Sequence, residues 1–218
     1  MSSAWAERGF PCDLEPAPAL GQRRLFYVLY IPGETLSGCL DAVRYLADPS
    51  AKHLAHITVR GPCAEPIATE PLNRQLAGNL ITLAGVDSFR GDRQQTVFLG
   101  CDGTRLRRVW AKRDYGYHPH ITLYDGEDPA FAEALLAVAG RYRFNSPFRC
   151  DRLVELTSFR GLPDPALAAR FDTALRPLVA RVTGWELGAA EVGSLPASQR
   201  LHLIDRLLEH LSAHSPPV

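Results

Sequence analysis

Little in this chain is extreme, and what it lacks removes several classes of protein at once. Lys and Arg number 24 and so do Asp and Glu, leaving no net charge. An extended footprint for long nucleic acid normally shows as a basic domain, so no long-DNA binding is expected. A small charged ligand needs only a local patch. The five cysteines, Cys12, Cys39, Cys63, Cys101 and Cys150, are scattered, odd in number and contain no C-x-x-C pair. They suit neither a zinc knuckle nor a thioredoxin-type motif, and free thiols in a reducing cytosol are expected. No apolar run approaches the ~20 residues that span a bilayer. Residues 1–21 carry acids and prolines without the hydrophobic segment of a secretory signal. These absences predict a cytoplasmic enzyme or binding protein with no membrane partner.

What is present is a chain of 218 residues, 46% apolar, enough for a sizeable core. Residues 1–21 read as a flexible leader. Arg23 to Pro32 (RRLFYVLYIP) is a strand stopped by Pro32-Gly33. Thr35 is placed to cap a helix running to about Ala47. His53–Gly61 reads as a strand, Pro71–Ala77 as a short helix, and Leu80–Phe89 and Gln95–Cys101 as two strands. Thr104–Asp114 is predicted as an amphipathic helix, and Tyr117–Tyr124 as a further strand. Asp128-Pro129 opens a helix through Ala130–Tyr142, an acidic cap followed by Pro at the first position. Phe148–Phe159 reads as one strand, and the tail as two helices divided by Gly184–Pro196.

Two of these strands carry the same phrase: His56-Ile57-Thr58-Val59 and His120-Ile121-Thr122-Leu123. Strand side chains alternate faces. Each copy therefore presents its His and Thr on one face and buries its aliphatic residues on the other. The order strand, helix, His-x-Thr strand occurs twice, which suggests two lobes with the His strands facing each other across a cleft. Paired imidazoles, with an ordinary pKa near 6.5, can supply both a general base and a general acid near neutrality. Hydrolysis of a ribose 2',3'-cyclic phosphate needs both, and the Thr hydroxyls can hold the non-bridging oxygens. Such a site needs no cofactor. A zinc reading through His53, His56, His118 and His120 fits less well, because His-x-x-His on a strand points its rings to opposite faces.

Three passages, RRLFYVLYIPGETLSGCL, HLAHITVRGP and YHPHITLYDG, resemble the 2H phosphoesterases, and within them the bacterial RNA 2',3'-cyclic phosphodiesterase (2'-5' RNA ligase-like) group. The similarity covers roughly residues 22–160. It implies an α+β fold: two antiparallel sheets flanked by helices around a central cleft, in a bilobal domain over 22–160. Residues 161–218 are expected to form a helical extension outside the family pattern. It implies a metal-independent site in which His56 and His120 are the acid–base pair and Thr58 and Thr122 bind phosphate. By the family's mechanism one His activates water and the other protonates the leaving oxygen; the sequence does not decide which, and the family's common 2'-phosphate product would favour His120 as the base.

Further substrate contacts are expected from the residues around the motifs. Periodicity extends the polar face to Arg60, which can meet phosphate, and to Tyr124, which can stack a base. His118 shares the face of His120 at the mouth, while His53 is expected at the surface. On the predicted helix Arg105, Arg108 and Lys112 fall on one side as a phosphate-steering patch. The expected substrate is thus a nucleotide or short RNA end carrying a cyclic phosphate or a 2'-5' linkage. The alternatives are a small metabolite or cyclic oligonucleotide as substrate, or a nucleotide-binding module without turnover.

Overall fold

The computed structural model describes residues 22–111, 116–144, 147–159 and 165–213. The leader and Lys112 lie outside the described residues. Seven strands form one antiparallel sheet in the order β6-β3-β4-β5-β2-β1-β7. They are β1 (Arg23–Tyr30), β2 (His56–Cys63), β3 (Leu80–Arg90), β4 (Gln95–Gly103), β5 (His120–Gly126), β6 (Phe148–Arg149) and β7 (Val154–Phe159). The expected helix-and-strand class and antiparallel pairing are present. The two expected sheets are instead two halves of one. The halves β7-β1-β2 and β5-β4-β3-β6 meet at a single paired position, Ile57 against Ile121. The two His-x-Thr strands are therefore neighbours rather than opposing walls.

The stretch predicted as a single strand over 148–159 breaks in two. β6 pairs with β3 and β7 with β1, at opposite edges of the sheet. Five residue steps separate Arg149 from Val154, a reach of roughly 17 Å at full extension. The sheet must therefore curl until its two edges approach each other.

Helix α1 (Glu34–Ala47) lies on the aliphatic face of the sheet and is buried without interruption from Gly38 to Ala47. Its N-cap is Gly33, at φ 81°, with no side-chain cap; Thr35 lies inside the helix. α2 (Glu70–Leu76) and α3 (Pro129–Ala139) follow, and Asp128 caps α3 through the amides of Ala130 and Phe131, as its sequence predicts. The tail supplies α4 (Ala166–Arg170), a π-type turn (Phe171–Leu175), α5 (Arg176–Thr183), α6 (Ala189–Val192) and α7 (Ala197–Ala213). These pack on the side of α1 turned away from the sheet. Phe171 stacks on Tyr45 at 4.7 Å, and a Cβ on Gly38 would stand 2.9 Å from Leu178. Strands, α1 and tail share one continuous apolar core.

The predicted helix Thr104–Asp114 shrinks, within the described residues, to one 3-10 turn at Leu106–Arg108. Beyond it the chain runs beside β2, where the Ala111 amide donates to the Val59 carbonyl. Among the described residues, no helix is long and apolar enough to cross a membrane.

Candidate active site

Antiparallel registry about the Ile57–Ile121 pair sets His56 opposite Thr122 and Thr58 opposite His120. Ile57, Val59, Ile121 and Leu123 are buried, while His56, Thr58, His120 and Thr122 are half-buried on the other face. The structure thus gathers all four motif side chains into one patch with local two-fold symmetry. Neither threonine hydroxyl is hydrogen-bonded to another described residue.

The two histidines are held in the same way. His56 Nδ1 lies 2.6 Å from the Leu54 carbonyl, and His120 Nδ1 lies 2.7 Å from the His118 carbonyl. A carbonyl only accepts, so both Nδ1 atoms carry a proton. Nε2 is then the nitrogen left for exchange with a ligand. Burial, and next the charge of Arg44, push His56 down to about 3; the Leu54 bond opposes this, and His53 and His120 add to it. His56 is therefore neutral near pH 7.

Arg44 belongs to the site although nothing in the sequence marked it out. It is a buried guanidinium on α1 that donates through Nε to the His53 carbonyl at 3.1 Å, and through a terminal nitrogen to the Thr122 carbonyl. Beyond the single Ile57–Ile121 pair the halves part. Arg44 fills the hydrogen-bonding gap on one side of that seam. A charged residue at helical spacing in an amphipathic segment reads as solvated, so sequence pattern alone hides it.

Aromatic rings flank each histidine. Tyr30 meets His56 edge-on at 6.1 Å, and Phe98 and Phe89 lie 4.8 and 5.4 Å from His120. On the His120 side a hollow of about 390 Å³ is lined by Phe89, Phe98, Arg107, Tyr117, His118 and Asp102, among others. Arg107 covers the Tyr117 ring at 3.8 Å. A smaller hollow of about 310 Å³ opens on the other side, at Lys52, His53, Asp125 and Ser158. His53 Nε2 is 3.3 Å from Ser158 Oγ, so His53 is part of this wall and not a bare surface residue.

The remaining predicted contacts divide. His118 lines the larger hollow. Arg60 shares the face of Thr58, with its Nε donating to the Val109 carbonyl at 2.9 Å. Tyr124 does not fit base stacking. A bulge sets Val97 against Tyr124 but Phe98 against Thr122, so Leu123 is an extra residue and the alternation fails. Tyr124 is turned into the core against Phe131, and its hydroxyl accepts from the Asp128 amide. Arg105 is held by the Ala77 carbonyl and, through its amide, by Asn79, away from the patch it was expected to form with Arg108. Arg108 is exposed. Because the helix is only a turn, Arg107 is the arginine that reaches the hollow. Among the described residues no group of three or more His, Cys, Asp or Glu side chains is placed to hold a metal ion.

Comparison with known proteins gives a family match. The sequence model described as the 2'-5' RNA ligase superfamily covers residues 32–161, and both His-x-Thr strands fall inside it. No curated protein and no solved structure matches this chain.

Proposed function

The chain belongs to the 2'-5' RNA ligase superfamily, the 2H phosphoesterases, and from that premise we propose that it hydrolyses a 2',3'-cyclic phosphate on a nucleotide or RNA end. Superfamily membership itself suggests a phosphoesterase-type activity on a nucleotide or RNA substrate. The observation that carries the finer reading is the symmetric quartet around Ile57 and Ile121, with each histidine fixed at Nδ1.

The reaction follows from that symmetry. His56 is neutral, so its Nε2 takes a proton from water as the water oxygen bonds to phosphorus. The bond from phosphorus to one ribose oxygen breaks, and His120 Nε2–H protonates that oxygen. A phosphomonoester and a free hydroxyl result, and the proton returns from His56 to His120 through solvent. Thr58 and Thr122 donate to the non-bridging oxygens, whose charge grows in the transition state. These roles reverse the expectation that His120 is the base. Two features support the reversal: His56 is neutral and so carries no Nε2 proton to donate, and the aromatic hollow lies beside His120. Phe89 and Phe98 suit a nucleobase there, which puts the leaving ribose oxygen on the His120 side.

The test is turnover in EDTA of a panel of 2',3'-cyclic nucleotides, 2'-5' dinucleotides, a cyclic phosphate of ADP-ribose and cyclic dinucleotides. Cleavage of the cyclic nucleotides is expected, with His56→Ala and His120→Ala each reducing kcat by about 10²–10⁴-fold. Binding without turnover of any compound would instead mark a binding module. Inhibition by the chelator would overturn the metal-free mechanism.

A further inference from the structure

The family match stops at residue 161, yet a side chain from beyond it reaches under the first motif. α1 carries two buried ionic residues nearly one turn apart, Asp41 and Arg44. Arg44 holds the carbonyls of His53 and Thr122. Asp41 is only 1% exposed. Its Oδ1 accepts from the Ala55 amide at 2.6 Å, and its Oδ2 accepts from Arg170 Nε, on α4, at 2.9 Å.

The position of Ala55 gives this network a consequence for catalysis. The Ala55 N–H and the Leu54 carbonyl are the two ends of one planar peptide unit. Asp41 grips the N–H end, and His56 Nδ1 donates to the carbonyl end. Rotation of that plane turns both bonds together. A carboxylate on the N–H also polarises the carbonyl as an acceptor. Asp41 does this most strongly while charged, because a charged acceptor makes the stronger bond. Burial pushes its carboxyl up, and the Ala55 amide, Arg170 and Arg44 pull it back. A buried carboxylate deprived of its cation is costly and tends to take up a proton.

The geometry points to Arg170 as a positioning residue: the C-terminal helices supply a cation to buried Asp41, which orients His56 through the Leu54–Ala55 peptide unit. The tail thereby belongs to the catalytic apparatus. This inference rests on the reading of His56 as a proton-transfer group.

The experiment compares Arg170→Met and Arg170→Lys with Arg200→Met in the full chain. Arg200 also joins the tail to α1, through the carbonyls of Leu46 and Ala47, but makes no bond to residues 53–56. On the most active 2',3'-cyclic nucleotide, Arg170→Met should lower kcat about tenfold or more with KM nearly unchanged, as loss of an orienting partner does. Its kcat should also fall at higher pH than in the parent as the medium is acidified. The reason is that Asp41, then faced only by Arg44 and the Ala55 amide, takes up its proton sooner. The charged or titratable neighbours of His56 (Arg44, His53, His120 and Tyr30) are unchanged in the variant. Arg170→Lys should recover much of the loss, and Arg200→Met should leave kcat and the pH profile alone. Equal effects of Arg170→Met and Arg200→Met on both readouts would overturn the proposal.

A second readout needs no substrate: the ring nitrogen and Nδ1–H resonances of His56. They should move in Arg170→Met and not in Arg200→Met, and unmoved signals would again overturn the proposal. If the parent turned over nothing in the panel, the functional reading would fail and these resonances would still decide the positioning claim. If Arg170→Met does not fold, Arg170→Gln is read in its place against the same outcomes.

Discussion

At the scale of single residues, the site is a balance between imidazoles that look alike in sequence and environments that set them apart. His56 is neutral in the folded chain because burial and Arg44 penalise its charged form. Its folded pKa, about 3, lies below the unfolded value near 6.5. The unfolded chain therefore binds the extra proton first, and the stabilising contribution present above pH 6.5 is lost as pH falls toward 3. Urea midpoints measured from pH 7 to pH 4 should decline in the parent and decline less in His56→Gln. A parallel decline in both would show that other groups dominate. The threonines make a separate prediction. Thr58→Val or Thr122→Val should reduce kcat by about 10²-fold, the scale of losing one donor to a developing oxyanion. Turnover within twofold of the parent would remove that hydroxyl from the mechanism.

At the scale of elements, β2 and β5 owe their usefulness to irregularities at their ends. The bulge in β5 sends Tyr124 inward two residues after Thr122 and so ends the polar patch at the second motif. In β2 the corresponding break is Gly61, at φ 115°, where the pairing with β1 shifts register between Leu25 and Tyr27. A Cβ at Gly61 would stand 2.7 Å from the Leu25 carbonyl oxygen. Both the backbone angle and the contact exclude a side chain, and backbone does not yield as a rotamer can. Gly61→Ala should destabilise by about 1–3 kcal/mol, read as a lower urea midpoint. The hairpin β3–β4 supplies the aromatic wall beside His120. Phe89→Ala should raise KM for a cyclic nucleotide about 5- to 100-fold with a smaller effect on kcat, the scale of one base–aromatic stack. An unchanged KM would place the nucleobase elsewhere.

At the scale of the whole molecule, the sheet, α1 and the tail form three layers around one core. α1 is the middle layer and is buried on both sides, so removing the tail exposes apolar surface along its length. A chain ending at residue 164 should be aggregation-prone and lack a cooperative thermal transition, checked by circular dichroism and light scattering. A monomer that melts cooperatively would show that residues 22–160 stand alone. The curl that brings the sheet's edges together is likewise a property of the assembly, since it is visible only when β6 and β7 find different partners.

How much of this was legible in the chain follows from the range of the forces involved. Strand alternation and two repeated tetrapeptides determined which face His56, Thr58, His120 and Thr122 occupy, because those patterns are local and set by backbone geometry. Asp128 and Pro129 likewise announced the start of α3. The pairing of the two motif strands was decided by tertiary structure, since antiparallel neighbours and opposing walls give the same alternation. So were the inward turn of Tyr124, the shrinking of the helix to one turn within the described part of 104–114, and the place of Arg107 on the wall of the hollow. Each depends on a hydrogen bond or bulge between segments remote in sequence. The clearest case is the buried trio Asp41, Arg44 and Arg170. Charge in an amphipathic segment reads as solvent-facing, and only when α1 is covered on its second side do these charges have to find each other.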